Sequence, residues 1–313
     1  MTVPSDITGS SETPNLSTGG AWMAGKIMPI SQASIPVTDW GLIHSDITYD
    51  VVPVWDGAFF RLDHYLTRFF RSMETLSLDP GLTPEEVTAA LQKLVSATGL
   101  RKAYVAMVTS RGVNMVPGSR DPRDCRNHFF AWCVPYIHVI RPEIAEAGAH
   151  VHIARSVQRI SPESVDPRVK NYHWGDFTTG LFEAKGVGAE TTVLLDGEGN
   201  VTEGPGFNVF AVKDRRLVTA KDGVLEGISR QTVLDIANEL GLATEVRTLP
   251  LEELLQSDEV FITTSGGGVA PITRVDDHIF SNGAPGEVTM AIRNAYFDWA
   301  VRPENRTEIN YKS

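Results

Sequence analysis

A lysine set among aromatic residues is the first candidate for chemistry in this sequence. Lys170 lies in VKNYHWGD, residues 169–176, close to Tyr172 and Trp174. A lysine amine becomes a nucleophile toward carbonyl groups when desolvation or a nearby cation keeps it partly neutral, and the two rings could form an apolar wall beside it. Most lysines are solvated surface residues, so this segment alone leaves a surface role open.

A carboxylate further along the chain is the second candidate. Glu203 lies in VTEGPGFNVF, residues 201–210, between a run of β-forming residues and a Gly-Pro-Gly turn. A carboxylate in a rigid strand can pair with a ring nitrogen of a cofactor and keep that nitrogen protonated, as an electron sink requires. An ordinary surface carboxylate is the competing interpretation.

Two backbone turns could bind an anion. Gly227, Ile228 and Ser229 stand where a turn opens a helix, and Thr263, Thr264 and Ser265 follow an apolar strand and precede three glycines. Exposed backbone N–H groups at such places bind phosphate through direct hydrogen bonds and partial positive charge. A plain serine N-cap and a flexible turn are the alternatives.

Composition and charge narrow the kinds of partner. The chain has 313 residues, a formal net charge of −11 and scattered basic residues, which argues against nucleic-acid binding. No run approaches the roughly 20 apolar residues of a membrane span, and the N-terminus does not resemble a signal peptide. Cys125 and Cys133 do not suggest a disulfide framework or a metal site. We therefore expect small-molecule partners, no metal, no membrane and a cytoplasmic location.

Strand and helix patterns alternate along the chain, which predicts an α/β fold of the α+β kind. Residues 83–99 have helical periodicity and begin with Thr83 and Glu86 at capping-box spacing. Residues 191–220 alternate like hairpins, with turns at DGEGN and KDRR, and residues 229–241 are typical of an amphipathic helix.

Charge, proline and glycine interrupt the apolar runs around residues 139–155, and we predict the domain junction there. The predicted units are a flexible N-terminal arm, a small α/β domain, an interdomain linker and a large C-terminal domain, with bounds 1–21, 22–138, 139–150 and 151–313.

The motifs VKNYHWGD, TEGPGFNVF, LEGISR and TTSGGGVAPI, in this order and spacing, resemble those of the fold type IV pyridoxal-phosphate enzymes. This family includes branched-chain and D-amino acid aminotransferases, (R)-selective amine transaminases and aminodeoxychorismate lyase. The resemblance covers about residues 22–300. It implies two α/β domains with pyridoxal 5'-phosphate at their interface, the large domain binding the cofactor, and a homodimer whose partner loop helps to close the site.

The resemblance also implies a role for individual residues. Lys170 would be the catalytic lysine that binds the cofactor covalently, Glu203 would hold the pyridine nitrogen, and Leu225 would pack on the ring. The phosphate would be held by Ile228, Ser229, Thr264 and Ser265, and further cofactor contacts would come from Phe207, Asn208 and Gly227.

An arginine upstream belongs to the same resemblance. The segment FFRLDHYLTRF is similar to the family's Leu-Asp-x-His-Leu-x-Arg helix, whose arginine binds the phosphate and corresponds here to Arg68. The usual histidine position is Tyr65, and His64 stands one place early.

The segment GLIHSDITYDVVPVW, residues 41–55, resembles the (R)-selective amine transaminases more than the branched-chain enzymes, which usually have a Tyr-Gly, Phe-Glu-Gly pattern here. The implied substrate pocket is formed by His44, Tyr49, Val51, Pro53 and Trp174. Without the four motifs, a lone histidine and tyrosine in such a segment would be read as core residues.

Arg120 lies where the family's active-site loop falls, and its planar fork could pair with the carboxylate of a keto acid. On a mobile loop it could swing in for pyruvate and out for a bulky amine. The tripeptide RNH, residues 126–128, mimics the Arg-x-His carboxylate site of D-amino acid aminotransferases. It begins an apolar strand, and we interpret it as coincidence.

The predicted function is transfer of an amino group from an (R)-amine to a keto acid such as pyruvate, with ping-pong kinetics. A branched-chain or D-amino acid aminotransferase of the same fold is the alternative. An enzyme like aminodeoxychorismate lyase and a non-catalytic protein that binds pyridoxal phosphate are further alternatives, and intact Lys170 and Glu203 disfavour the latter.

Overall fold

The computed structural model describes residues 15–311. The strands of these residues are β1 (Gly20–Met23), β2 (Lys26–Pro29), β3 (Ile47–Trp55), β4 (Ala58–Phe60), β5 (Ala103–Asn114), β6 (Cys125–Pro135), β7 (Ala149–Ile153), β8 (Thr191–Val193), β9 (Glu203–Gly204), β10 (Phe207–Lys213), β11 (Arg216–Ala220), β12 (Thr244–Arg247), β13 (Glu259–Thr264), β14 (Gly268–Val275), β15 (His278–Ile279) and β16 (Arg306–Glu308).

The α-helices of the same residues are α1 (Trp40–Ile43), α2 (Leu62–Thr75), α3 (Pro84–Thr98), α4 (Pro142–Ala147), α5 (Gly175–Gly186), α6 (Ile228–Glu239), α7 (Leu251–Leu255) and α8 (Glu287–Ala300). Short 3₁₀ turns cover Ile30–Gln32, Pro122–Asp124, Ser281–Gly283 and Pro303–Asn305. None of the described helices is long and apolar enough to cross a membrane. The predicted α/β class is confirmed.

The first sheet has seven strands in the order β16-β4-β3-β5-β6-β1-β2. Because side chains alternate along a strand, the two faces of β3, β5 and β6 bury different residues. One face packs against α2 and α3 through a core that includes Val52, Met107, Phe69 and Leu91. The opposite face carries a separate apolar cluster around Tyr49, and this face is turned toward the candidate site.

Helix α3 begins as its sequence predicts. The Thr83 side chain accepts a hydrogen bond from the Glu86 backbone at 3.3 Å, and the Glu86 carboxylate accepts one from the Thr83 backbone at 2.8 Å. The helix ends at Gly99, whose φ of 70° is the left-handed conformation that glycine adopts without steric cost. Both ends of this helix are therefore specified locally.

The second sheet has nine strands, seven of them in the order β12-β11-β10-β13-β14-β7-β8, with β9 on β10 and β15 on β14. Its strands cover 149–279, and β7 pairs in parallel with both β14 and β8. The turn between β10 and β11 has positive φ at Asp214 and Arg215, as expected for the predicted tight hairpin at KDRR. Helices α6 and α8 pack on one face of the sheet, beside Phe210 and Phe261.

The two ends of the chain can be compared with the predicted N-terminal arm and C-terminal domain. Residues 1–14 of the predicted arm lie outside the described residues, and strand β1 already begins at Gly20. Strand β16 pairs with β4 in the first sheet, where it covers the edge that β4 would otherwise expose. The last strand therefore joins the sheet of the first half, although we placed it with residues 151–313. The domain boundaries stay a prediction.

Candidate active site

A cavity between the two sheets brings the separate sequence motifs together. Elements of the first half of the chain and loops of the second half both line it. The predicted residues on its walls are Tyr49, Arg68, Lys170, Trp174, Glu203, Phe207, Asn208, Leu225, Ser229 and Ser265. Residues that are far apart in the chain thus share one site.

Strand β3 holds the catalytic-lysine candidate in place. The carbonyl oxygen of Lys170 accepts hydrogen bonds from Thr48 Oγ1 at 2.7 Å and from the Tyr49 backbone N–H at 3.2 Å. The Lys170 side chain lines the cavity, with Nζ 4.6 Å from the centre of the Tyr49 ring. The amine is therefore positioned by both backbone bonds and an aromatic face.

The pKa of the Lys170 amine is lowered from 10.5 to about 8. Removal of water from the ammonium group is the largest cause, and the positive charge of Arg68 is the second; Asp50 and Glu203 oppose them. An appreciable fraction of the amine is therefore neutral near neutral pH. Since the neutral amine is the nucleophilic form, the aromatic surroundings of this lysine have a chemical explanation.

Glu203 is a buried residue of the same cavity wall, on the short strand β9. Its Oε2 accepts a hydrogen bond from the Leu225 backbone at 2.9 Å and a longer one from Asn208 Nδ2 at 3.4 Å. Burial raises the pKa of the carboxyl, and the charge of Arg159 opposes that rise most strongly. The carboxylate is thus fixed in orientation, with an arginine to stabilise its charge.

Arg159 is a site residue that the sequence reasoning missed. Its guanidinium donates to Glu203 Oε1 at 3.1 Å and to Asp176 Oδ2 at 2.6 Å, and it stacks over the Phe177 ring at 4.3 Å. Residues 155–170 form no helix and no strand, so no periodicity distinguishes this arginine from surface ones. Its role depends on contacts that only the fold creates.

The predicted phosphate arginine is paired with a buried aspartate. Arg68 donates to the two carboxylate oxygens of Asp50 at 2.8 and 2.7 Å, and its Nη1 donates to the Glu226 carbonyl at 2.9 Å. Asp50 is fully buried. A single acid inside the apolar strand ITYDVVPVW is a signal that the sequence did offer, because a buried carboxylate needs a partner.

The N-terminus of α6 faces the same end of the cavity. Gly227 is its N-cap, and no side chain caps the free N–H groups of the first turn. A Cβ on Gly227 would lie 2.2 Å from Asn208 Oδ1, so the close approach requires glycine. Ile228, the first helical residue, is buried outside the cavity lining, whereas Ser229 lines the cavity and shares a hydrogen bond with Tyr296 at 2.9 Å.

The strand end at β13 contributes hydroxyl groups. Ser265 shares a hydrogen bond with Tyr65 at 2.7 Å, so the residue at the usual histidine position contacts this segment. Thr264 does not line the cavity: its hydroxyl donates to the Gly206 carbonyl at 2.8 Å. Thr263, which the sequence placed with Thr264 and Ser265 in a possible anion site, lines the cavity with a buried hydroxyl that has no hydrogen-bond partner among the described residues.

The predicted substrate residues divide into two groups. Tyr49 and Trp174 line the cavity, and the Tyr49 ring stacks on Tyr172 with centres 4.0 Å apart. Val51 and Pro53 are buried on the same strand and lie outside the lining. The structure therefore shows Val51 and Pro53 as buried residues that do not line the cavity.

His44 and Arg120 do not lie beside Lys170. His44 caps the end of α1 and lines an adjoining cavity of about 510 Å³, which also includes Pro122 and His173. Arg120 is exposed in the loop after β5. Among the described residues, neither His44 nor Arg120 lines the cavity that contains Lys170.

The tripeptide RNH has a structural explanation. His128 lies on β6 and contacts Asp39 Oδ2 at 2.7 Å, while Ser110 bonds the other oxygen of the same carboxylate. Arg126 is exposed. Neither residue lines the cavity, in agreement with our reading of the match as coincidence.

These residues fit pyridoxal 5'-phosphate. The cofactor needs an amine, an acid for its ring nitrogen and an anion site for its phosphate. The cavity offers Lys170, Glu203 and an anion site built from uncapped backbone N–H groups, Arg68 and the unpartnered Thr263 hydroxyl. Each chemical group of the cofactor would thus meet a complementary group of the protein.

Comparisons with known proteins agree with a site for pyridoxal 5'-phosphate. Residues 48–275 match the family model for amino-transferase class IV. A putative branched-chain-amino-acid aminotransferase of Methanocaldococcus jannaschii is 29% identical over 288 residues, covering 90% of this chain and 98% of that protein. A D-alanine aminotransferase of Bacillus licheniformis is 26% identical over 278 residues, covering 87% of this chain and 93% of that protein.

A solved structure extends the similarity to the fold. The branched-chain amino acid aminotransferase of Thermobaculum terrenum, determined in its PLP form, superposes with a TM-score of 0.81 at 25% identity. The match covers 95% of this chain and 100% of the other. With a family model that spans most of the sequence and a site whose residues fit the cofactor, the chain belongs to the class IV aminotransferases, enzymes that use pyridoxal 5'-phosphate.

Proposed function

We propose that this aminotransferase takes its amino group from a small chiral (R)-amine and gives it to a keto acid such as pyruvate. The observation that carries the proposal is the state of the arginines on the cavity wall. Arg68 is bound to Asp50, and Arg159 is bound to Glu203 and Asp176. In this arrangement Arg159 is committed to these two carboxylates, and Arg68 is committed to Asp50 and to the proposed phosphate site. Neither is left for the carboxylate of an amino donor, so a donor without a carboxylate suits this chain's pocket, and the carboxylate of the keto acid would need a residue from outside it.

The remaining walls suit an aryl or alkyl substituent. Tyr49, Trp174, Phe177 and Phe207 line the cavity, and aromatic walls gain most from apolar surface that a ligand buries against them. The (R) configuration is supported by the resemblance of residues 41–55 to the (R)-selective enzymes.

The protein's own groups would do the following work. When bound, pyridoxal 5'-phosphate supplies an electron sink and carries the amino group between the two substrates. The partly neutral Lys170 amine would take the proton from the amine-bearing carbon and deliver it to the cofactor, and in the second half-reaction it would move a proton the opposite way, onto the carbonyl carbon of the keto acid. Glu203 would hold a proton on the ring nitrogen, with Arg159 fixing the carboxylate in place. Ser229, Ser265 and Arg68 would bind the phosphate and keep the ring in register with Lys170.

A branched-chain or D-amino acid aminotransferase is the second candidate, and the names of the relatives favour it. The M. jannaschii and B. licheniformis relatives carry those activities in their names. For such a substrate, the carboxylate would need backbone N–H groups or a residue from outside the described cavity. This candidate therefore predicts acceptance of an α-amino acid and rejection of a simple amine.

We also propose a homodimer, in which Arg120 of one subunit would approach the site of the other. Its exposed position on the loop after β5 leaves it available for that role. The cytoplasmic location expected from the sequence is part of the same proposal, which cell fractionation would test. Size-exclusion chromatography with light scattering would test the dimer, and a monomeric active enzyme would rule out the contribution of Arg120.

Steady-state product analysis tests the proposed function. Holoenzyme with pyruvate should convert (R)-1-phenylethylamine to acetophenone and alanine, and it should leave the (S)-enantiomer unchanged. Parallel double-reciprocal lines are expected for ping-pong transfer. Activity with L-leucine, or with D-alanine when 2-oxoglutarate replaces pyruvate as the acceptor, and none with either enantiomer of 1-phenylethylamine, would establish the second candidate instead.

A further inference from the structure

A separate cavity lies behind the glycine-rich segment of the active site. Its volume is about 170 Å³, and Thr264, Gly266 and Gly267 form one of its walls. Ser265 lines the cofactor cavity instead. Residues 264–267 therefore separate the cofactor cavity from this second cavity, which we call the rear cavity. No step of the proposed reaction uses the rear cavity.

Three basic side chains line this rear cavity. Lys102 extends toward it with Nζ 5.9 Å from the Trp55 ring centre and 5.5 Å from the Tyr136 ring centre. Arg293 lines it from helix α8, and His138 lines it from the segment after β6. The described walls carry no acidic residue. The whole chain has a net charge of −11, so the charge of this cavity is opposite in sign to that of the chain.

These basic groups have no carboxylate partner within 4.0 Å among residues 15–311. Within the same residues, Lys102 makes only the aromatic contacts. Arg293 donates one N–H to the Val269 carbonyl and stacks on Phe297 at 5.3 Å, and a guanidinium has further N–H donors. His138 packs edge-on against the Tyr136 ring, with centres 4.8 Å apart. Several strong donors therefore converge on the cavity without an acceptor.

The charges act on one another through the cavity. The pKa of the His138 imidazole lies below its usual value, first because of burial and then because of Lys102 and Arg293. Two acids on helix α4 act in the opposite direction, Glu143 on His138 and Glu146 on Arg293. Both cations thus lower the pKa of the imidazole, as expected where positive groups lie close to one another.

We propose that the rear cavity is a binding site for a small oxyanion of the carboxylate or phosphate class. A water molecule needs about 10–15 Å³ of such space, so a cavity of about 170 Å³ has room for an ion of this size. Lys102 would supply a mobile point charge, and Arg293 would supply the planar fork that fits two oxygens at once. His138 would donate a further hydrogen bond and take up a proton as the anion binds.

Isothermal titration calorimetry on the holoenzyme tests this site, because the bound cofactor already occupies the active-site phosphate position. The probes are inorganic phosphate and succinate, titrated separately into wild type, Lys102→Gln and Arg293→Gln. Loss of a charge-assisted hydrogen bond is expected to weaken binding by about tenfold or more in each variant. Lys93→Gln removes an exposed charge from α3 and is the matched control, with binding unchanged.

The two probes distinguish the sources of the anion. Saturable binding of one ion per chain, weakened in both cavity variants and not in the control, would support the site, and the tighter probe identifies phosphate or carboxylate as its ligand. Buffers of different ionisation enthalpy should reveal proton uptake in wild type, which His138→Gln removes. If neither ion binds saturably, or if both cavity variants bind like wild type, the proposal is wrong. Circular dichroism of each variant checks that it is folded.

Discussion

Replacement of Lys170 by methionine should stabilise the apoenzyme at neutral pH. The ammonium group is surrounded closely by protein and lies near Arg68, which lowers its pKa from 10.5 to about 8. In the folded chain at pH 7, the charged form is therefore held in unfavourable surroundings. Methionine has a similar length and no charge, so the variant escapes this cost and loses only the contact of the amine with the Tyr49 ring.

The magnitude follows from linkage between protonation and folding. A group with a folded-state pKa below its unfolded value opposes folding at pH values below both. The difference between 10.5 and about 8 corresponds to about 3 kcal/mol at about 1.4 kcal/mol per pH unit, as an upper limit because the side chain is partly exposed to the cavity. The cost is relieved as the pH rises from about 8 toward 10.5, and near pH 10 about 1 kcal/mol remains.

Urea denaturation of the apoenzyme measures this effect. The cofactor must be removed, because it binds the same amine. The free energy of unfolding of Lys170→Met should exceed that of wild type by up to about 3 kcal/mol at pH 7, and the two curves should converge toward pH 10. Lys93→Met, which removes an exposed lysine of α3, controls for general effects of charge and hydrophobicity.

Two results would refute the reasoning. A variant that is less stable than wild type at pH 7 would mean that the ammonium group contributes favourable contacts greater than its desolvation cost. A stability difference that does not change between pH 7 and pH 10 would mean that the amine has an ordinary pKa in the folded chain. In either case the account of Lys170 as an amine poised for nucleophilic chemistry would lose its physical basis.

Two further predictions concern the buried ion pairs. Asp50→Asn leaves Arg68 buried without a counter-charge, and the free energy of unfolding of the apoenzyme, measured in urea, should fall by about 3–5 kcal/mol; a loss below about 1 kcal/mol would contradict the pairing. Arg159→Met removes the cation that most strongly opposes the raised pKa of Glu203, so this pKa should rise further. The pH profile of the first half-reaction should then move to higher pH, and Arg159→Lys should largely restore it; an unshifted profile in the methionine variant would contradict the role given to Arg159.

The sequence could predict local structure and the candidate residues that lie within the four motifs. The capping box of α3 and the turn after Lys213 depend on a few neighbouring residues, so their signals are complete in the sequence. That Lys170 and Glu203 share one site was implied by the resemblance of the four motifs to a known family, and both residues line one cavity.

Contacts between distant segments of the chain could not be predicted from the sequence. Arg159 belongs to a stretch without regular structure, and only the fold brings it to Glu203. His44 belongs to a motif that matches a substrate pocket, yet the end of α1 turns it into the adjoining cavity. The direction of a side chain at a helix end depends on packing, which spacing in the sequence does not report.

The absorbance spectrum of the holoenzyme during a single half-reaction tests the proposed function most directly. Without a keto acid, addition of (R)-1-phenylethylamine should bleach the long-wavelength band of the bound cofactor, and pyruvate should then restore it. The (S)-enantiomer and L-leucine should leave the band unchanged. Bleaching by L-leucine or D-alanine, with no response to the (R)-amine, would contradict the account and assign the chain to amino acid transamination.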